Sequence, residues 1–290
     1  MLGASGWLGT TLVRELFSQG SRNHLLVASH SRQQVLGPNN YLVRAFSKPE
    51  IRDFSPEVVI NCAFLTKDRF KTHDIQDFIR INEELTSQFL DVLSLPQVGV
   101  GVTISSGSAT LQSADSIKLN PYGYLKRLEQ EKLLSMGSST LTVGVARAWS
   151  LSGDLIPSPT SYALSNFIWQ ALTTGKISVD APNEVWRRYC DAAEFLNVAL
   201  LSIMSGRASI VDSGGPLVEL RALAETVADT IGNVTVTSSS PVGTPEIYAS
   251  NGQQYQQLCT ELGISVESLV SQIDRVVSAI RSRISSENEI

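Results

Sequence analysis

The segment Gly3-Ala4-Ser5-Gly6-Trp7-Leu8-Gly9 spaces three glycines three residues apart. It runs into Leu12, Val13 and Leu16 at helical spacing, with Arg14 and Glu15 between them. That pattern is a loop feeding an amphipathic helix. Glycine allows the tight turn and lets a bulky anion approach the backbone with no Cβ in the way. The unpaired N–H groups and positive dipole end of the helix then face the anion. Gly3, Ser5, Gly6, Trp7, Leu8 and Gly9 are therefore candidates for holding phosphate groups. Glycines also serve ordinary loops, so the triplet gains its meaning from context. Only Met1 and Leu2 stand ahead of the loop, where a first strand is expected. The strand reads as truncated to a stub, which would leave its neighbours short of backbone partners.

Working outward, the runs HLLVAS, NYLVRAF, EVVINCAF, VGVGVTISS and TLTVGVARAW are apolar and β-branched. They alternate with helical patterns such as TSQFLDVLSL and LKRLEQEKLL. This β-α rhythm predicts an α/β fold with a doubly wound parallel sheet. The rhythm loosens after about residue 150, so residues 1–150 are expected to form the sheet domain. Residues 151–290 are expected to form mainly a smaller lobe, with some return to the sheet. That lobe is predicted to hold a helix near 162–174, strands at ISVDA and ASIVDS, and a helix over 217–231. A last helix should carry Val266, Leu269, Val270, Ile273, Val276, Val277 and Ile280 as one stripe docked on its own domain.

With 290 residues, 42% hydrophobic and 18% charged, the chain can bury a substantial core. Its net charge of -5 argues against a general nucleic-acid or anionic-membrane surface. Cys62, Cys190 and Cys259 are far apart and the 3 histidines are scattered, so neither a disulfide framework nor a metal site is expected. There is no leader-type segment, and a cytoplasmic protein is expected.

After the first helix, HLLVASHSR reads as the second strand, whose end should reach an adenosine ribose. An acidic residue there would favour NAD. Ser29, His30, Ser31 and Arg32 occupy the region instead, and their donors and guanidinium suit a 2′-phosphate, favouring NADP(H) with NAD(H) still open. The competing reading makes Arg32 a solvated loop residue. Further on, TISSGSAT closes a strand with hydroxyls, and NPYGYLKRLEQEKLL begins a helix with Tyr122 and Lys126 at i and i+4, on one face. An ammonium beside a phenol lowers its pKa from about 10 and makes it a usable acid or base. Tyr124 points elsewhere, its own i+4 residue being Leu128. Ser106 is the candidate to hold a carbonyl beside Tyr122, with Ser105 and Ser108 as stand-ins.

GASGWLG, VVINCAF, IRIN, ISSGSA, YGYLK, VARAWSLSG and RRYCDAAEF stand in the order of the extended short-chain dehydrogenase/reductase family, the NAD-dependent epimerase/dehydratase branch, which the chain resembles nearly end to end. The resemblance implies a Rossmann-like sheet and a catalytic Ser106, Tyr122 and Lys126. It implies that Ala63 and Phe64 line the cofactor, that Asn82 orders the lysine through water, and that Lys126 holds the nicotinamide ribose. It further implies a nucleotide-diphosphate sugar as substrate, with Arg187 at the family arginine and Arg188 as second choice for a diphosphate clamp. Ser108 and Ser150 would lie near that substrate. Relatives commonly form homodimers through helices that here contain residues 83–94 and 122–135. Phe167 and Trp169 read as core or groove wall.

The chain departs from the pattern in three further places. Gly107 and Ser108 follow Ser106 where sugar dehydratases carry an acidic pair; the loop from Ser106 to Tyr122 is short; and Ser150 stands where many relatives have asparagine. The first departure disfavours dehydration. Exchange of NADP(H) suits a keto-sugar reductase, retained NAD suits an epimerase, and the short first strand leaves a non-catalytic dinucleotide-binding protein as a third reading.

Overall fold

The computed structural model describes residues 1–18, 20, 26, 28–29, 34–36, 41–66, 74–240 and 242–287. The chain divides into two compact units, residues 1–148 with 196–211, and residues 149–195 with 212–290.

In chain order the first unit contains α1 (Trp7–Ser18), β1 (Ala28–Ser29), β2 (Gln34–Leu36), β3 (Tyr41–Ala45), α2 (Lys48–Phe54), β4 (Val58–Asn61), α3 (Ile75–Leu93), β5 (Val100–Ser106), α4 (Pro121–Ser135) and β6 (Thr142–Ala148). The second unit then runs through β7 (Ser150–Ser152), α5 (Ala163–Thr174), β8 (Lys176–Val179) and β9 (Val185–Asp191). Helix α6 (Ala192–Met204) and β10 (Ile210–Asp212) mostly belong to the first unit again. The remainder is β11 (Leu217–Glu219), α7 (Leu220–Ile231), β12 (Thr235–Ser238), β13 (Glu246–Tyr248), α8 (Gln253–Leu262) and α9 (Leu269–Glu287).

The first unit is built on parallel pairing of β1 with β3, β4 with β5, and β5 with β6, and β10 lies beside β6. Leu2 joins the two groups of strands by bridging Ala28 and Asn61. Its N–H donates to the Ile60 carbonyl at 2.8 Å and its own carbonyl accepts from Cys62 N at 2.9 Å. On the other side Ala28 N donates to the Met1 carbonyl at 2.9 Å, and Gly3 N to the Ala28 carbonyl at 2.8 Å. Leu2 thus supplies a rung between β1 and β4. The order β3, β1, Leu2, β4, β5, β6, β10 is that of a Rossmann-like doubly wound α/β sheet. Its core joins Leu2 and Val59 of the sheet to Phe89 and Val92 of α3, Leu133 of α4 and Val145 of β6. Each fully buried side chain of this size contributes roughly 1.5–3 kcal/mol.

In the second unit β9 pairs with β7 and β13 in parallel and with β11 antiparallel, while β8 pairs in parallel with β12. Helices α5, α7 and α9 share one apolar core with Tyr189 and Val179. Ile273, Val276, Val277 and Ile280 face inward, so α9 is docked on its own unit, whereas Val270 is about half exposed. Phe167 is buried in the same core and Trp169 packs against it. One sequence expectation is corrected. Residues 217–219 form a strand, because Glu219 caps α7 by accepting from Arg221 N and Ala222 N and so starts the helix at Leu220. ASIVDS supplies β10, which lies beside β6 in the sheet of the first unit.

Candidate active site

Gly3 has φ +73°, and a Cβ there would meet Ala63 N at 2.3 Å, while one at Gly9 would meet the Gly3 carbonyl at 2.2 Å. These two glycines are dictated by the protein's own packing between the turn, α1 and the end of β4. Gly6 differs: a Cβ there would find only the Gly3 carbonyl at 3.6 Å, an ordinary contact, and the residue is exposed. The turn therefore presents open space at its middle glycine, ahead of the first N–H groups of α1, which have no acceptor within a helix. This is the arrangement a dinucleotide pyrophosphate requires, and the residues present fit such a cofactor. Ser5 is exposed, and Trp7 and Leu8 are half-buried in the first turn. A shallow cleft beside the turn is lined by Gly3, Ala28, Phe46, Ala63, Leu85 and Gln88. Ser29 pairs with Ala45 at the end of β1, while His30, Ser31 and Arg32 lie outside the described residues.

Strand β5 delivers Ser105 and Ser106 at its carboxyl end, and the two serines have different partners. Ser105 accepts from Gln130 Nε2 at 2.5 Å, and Gln130 Oε1 accepts in turn from Arg147 Nε at 3.0 Å. Ser106 is buried and its Oγ accepts from Ser108 N at 3.1 Å, starting a short helical turn over Gly107–Thr110. Ser108 Oγ accepts from Asn120 Nδ2 at 3.1 Å, and Asn120 Oδ1 caps α4 by accepting from Gly123 N at 2.9 Å. A Cβ at Gly123 would fall 2.6 Å from the Ser108 carbonyl, so glycine is what lets the helix start lie against this loop. Arg127 fastens the rest of the loop, donating to the Ala109 carbonyl at 2.7 Å and the Leu111 carbonyl at 2.8 Å and pairing with Asp115. Asn120, Gly123 and Arg127 were not among the residues singled out from the sequence. For Asn120 and Gly123 the signal lay in the Asn-Pro cap and the glycine beside Tyr122, whereas nothing local marks Arg127.

On α4, Tyr122 is half-buried and meets the Phe64 ring edge-on, with centroids 5.6 Å apart at 90°. The same ring lies over the Lys126 ammonium, 3.8 Å from Nζ to its centroid. Lys126 is only 3% exposed and donates to the Ile104 carbonyl and to Glu129 Oε2, each at 2.8 Å. Asn82 is also buried, but its amide serves the backbone: Oδ1 accepts from Leu65 N at 2.7 Å, and Nδ2 donates to the Phe78 carbonyl at 3.1 Å and the Leu65 carbonyl at 3.3 Å. It fixes the segment that carries Phe64. Tyr122, Lys126 and Phe64 are thus gathered at one place, with Ser106 tied to the start of α4 through Ser108 and Asn120.

In the second unit Arg187 pairs with Glu246 at 2.7 Å and lies 5.3 Å from the Tyr248 ring centroid. Arg188 is committed to backbone carbonyls of Gly215, Ser250 and Asn251, which makes it part of the framework. Ser150 opens β7 opposite Tyr189. Among the described residues no cluster of histidine, cysteine or carboxylate side chains suits a metal ion, and no helix is long and apolar enough to cross a membrane.

Burial pushes the Cys190 thiol well up, helped by the Glu194 carboxylate beside it, and raises Cys259 to about 11. Both thiols stay protonated at pH 8 and should be unreactive. Maleimide labelling of the native protein at that pH is expected to leave them unmodified until denaturant is added, as mass spectrometry of the labelled peptides would report. Rapid native labelling of Cys190 would contradict this.

A family model, the NAD dependent epimerase/dehydratase family, matches residues 1–210. The chain belongs to that family, whose members are enzymes and bind a nicotinamide dinucleotide. Curated proteins yield no match in sequence. Among solved structures, a UDP-N-acetylglucosamine 4-epimerase from Methanobrevibacter ruminantium in complex with UDP-N-acetylmuramic acid has TM-score 0.78 at 14% identity, over 97% of each chain. RMD from Pseudomonas aeruginosa complexed with NADPH has TM-score 0.67 at 21% identity, over 97% of this chain and 98% of that one. DesIV, a dTDP-glucose 4,6-dehydratase from Streptomyces venezuelae with NAD bound, has TM-score 0.71 at 18% identity, over 97% and 95%. At these identities the likeness is one of fold.

Proposed function

We propose that this chain is an NADP(H)-preferring oxidoreductase that reduces a keto group on a nucleotide-diphosphate sugar. The observation that carries the reading is the placement of Tyr122 and a buried Lys126 ammonium on one face of α4, both against Phe64. A bound nicotinamide supplies or takes the hydride. The chain's own part is the proton. Tyr122 donates it to the oxygen that becomes the hydroxyl, Ser106 orients that oxygen from the end of β5, and Lys126 stabilises the phenolate left behind. The glycine turn with Ser5, Trp7 and Leu8 would hold the pyrophosphate, with Ala63 and Phe64 along the cofactor.

The second unit would hold the sugar nucleotide, with Arg187 exchanging Glu246 for a diphosphate and Ser150 beside it. Three features support reduction over the other reactions of the family. The sequence Ser29-His30-Ser31-Arg32 contains no carboxylate to repel a 2′-phosphate. Ser106 is followed by Gly107 and Ser108, which form a buried turn and offer no acid or base for dehydration. Ser108 Oγ is already engaged with Asn120.

A thermal-shift series with NADP(H), NAD(H) and nucleotide sugars tests this reading, combined with extraction of any dinucleotide that co-purifies. A ligand at a hundred times its Kd adds about 2.7 kcal/mol, or very roughly 5–10 °C for a protein of this size. NADPH is expected to give such a shift, NADH a smaller one, and keto-sugar nucleotides are expected to drive NADPH oxidation. Stoichiometric NAD carried through purification would point to an epimerase. Absence of any shift with either dinucleotide would overturn the redox reading.

A further inference from the structure

Glu129 stands three residues after Lys126, on the same side of α4, and was not among the candidates drawn from the sequence. It is 1% exposed, and its side chain forms an ion pair with Lys126 at 2.8 Å inside the protein. The other carboxylate oxygen, Oε1, accepts from Asn61 Nδ2 at 2.7 Å and from Thr103 Oγ1 at 2.9 Å. These partners come from β4 and β5, so two strands and a helix hold one carboxylate. Asn61 also accepts from Ala63 N at 3.0 Å, which fixes the residue before Phe64. Phe64 in turn covers the ammonium.

The arrangement answers a physical problem. An ammonium removed from water favours its neutral form unless a counter-ion and hydrogen bonds replace the solvent. Lys126 has three N–H donors; one goes to a carbonyl, one to the carboxylate, and a ring face covers the ion. At 1% exposure the carboxylate is buried beneath the groups that hold it, so it acts through the lysine. Among the described residues, the titratable groups nearby include Tyr122 on α4 and Cys62 at the end of β4. Burial pushes the Cys62 thiol up to about 12, so it brings no charge at neutral pH.

We propose that Glu129 is a positioning residue of this site: a buried counter-ion, clamped by Asn61 and Thr103, that holds Lys126 in place as an ammonium next to Tyr122. The part concerning Tyr122 rests on the function proposed above; the pairing itself does not. The two are therefore tested separately.

The first test is side-chain NMR of lysine-labelled protein without cofactor, titrated from pH 6 to 11, with the Lys126 signal identified by its loss in Lys126→Met. In Glu129→Gln the Lys126 midpoint is expected to fall by at least about one unit, a tenfold loss of proton affinity, because desolvation is no longer offset. Glu129→Asp should recover part of it. An unchanged midpoint in Glu129→Gln would overturn the proposal. If that variant does not fold, the double variant Lys126→Met/Glu129→Gln serves instead. Removing both charges should restore much of the melting temperature lost by Lys126→Met alone, whereas strictly additive losses would also overturn the proposal. The second test is the pH profile of kcat/KM in Glu129→Gln, where the limb belonging to Tyr122 is expected to move to higher pH. A lysine midpoint that falls in a protein with no dinucleotide-dependent turnover would keep the counter-ion and remove the redox function.

Discussion

Replacement of Tyr122 by phenylalanine is expected to lower kcat by about 10²–10⁴-fold, the range that one general acid or base contributes, without loss of dinucleotide binding. The substitution removes a single oxygen and keeps the ring. The edge-on contact with Phe64 at 5.6 Å survives, and so does the packing that presents Lys126. Melting temperature and NADPH affinity are therefore the controls, and both should match those of the unaltered protein. Tyr124→Phe provides the matching comparison: it lies two residues along the helix, on another side, and should turn over normally. Steady-state turnover with a keto-sugar nucleotide decides the matter. Unchanged kcat in Tyr122→Phe would remove the phenol from the mechanism, and a fall accompanied by a lower melting temperature would assign it to structure instead.

What made Tyr122 and Lys126 readable from sequence is that their relation is local. A four-residue interval on a helix puts both on one face whatever the rest of the chain does. The glycine turn was legible for the same reason, and the alternation of β-branched runs with helical patterns gave the parallel sheet. Partners of Lys126 were not legible, because Glu129 takes its meaning from Asn61, 68 residues earlier, and Thr103, 26 residues earlier. No local pattern marks a glutamate in a charged helix as buried. Arg127 is a similar case: among KRLEQEK it reads as a solvated charge, yet it binds the carbonyls of Ala109 and Leu111 across the loop. The stub before the glycine turn was expected to leave the sheet short of partners. The finding is that Met1, Leu2 and Gly3 still supply both neighbouring strands with ladder bonds. Residues 217–219 misled for the opposite reason. Their apolar spacing continues smoothly into α7, and only the capping geometry of Glu219 shows where the helix begins.

The glycine turn yields the second large effect, because its glycines are constrained by different things. Gly3→Ala would set a methyl carbon 2.3 Å from Ala63 N and 2.5 Å from the Cys62 carbonyl carbon, on a backbone with φ +73°. Left-handed backbone costs an ordinary residue roughly 1–2 kcal/mol, and forcing an atom into packed surroundings roughly 1–3 kcal/mol. Stability should therefore fall by about 2–5 kcal/mol, with the melting temperature down by about 5–15 °C. Folding stability and cofactor binding should be lost together, since the residue the methyl strikes, Ala63, precedes Phe64. Gly6→Ala meets nothing closer than 3.6 Å and should melt where the unaltered protein does. Its methyl instead fills the space that a pyrophosphate would enter, so dinucleotide affinity is expected to fall at least tenfold, about 1.4 kcal/mol. The pair of variants separates a glycine the fold requires from one the ligand requires. Thermal melts in the absence of ligand and dinucleotide titrations of both proteins provide the readout. Full affinity in Gly6→Ala would mean that the phosphates do not pass over the middle of the turn, and the cofactor would have to lie elsewhere along the ends of β1 and β4.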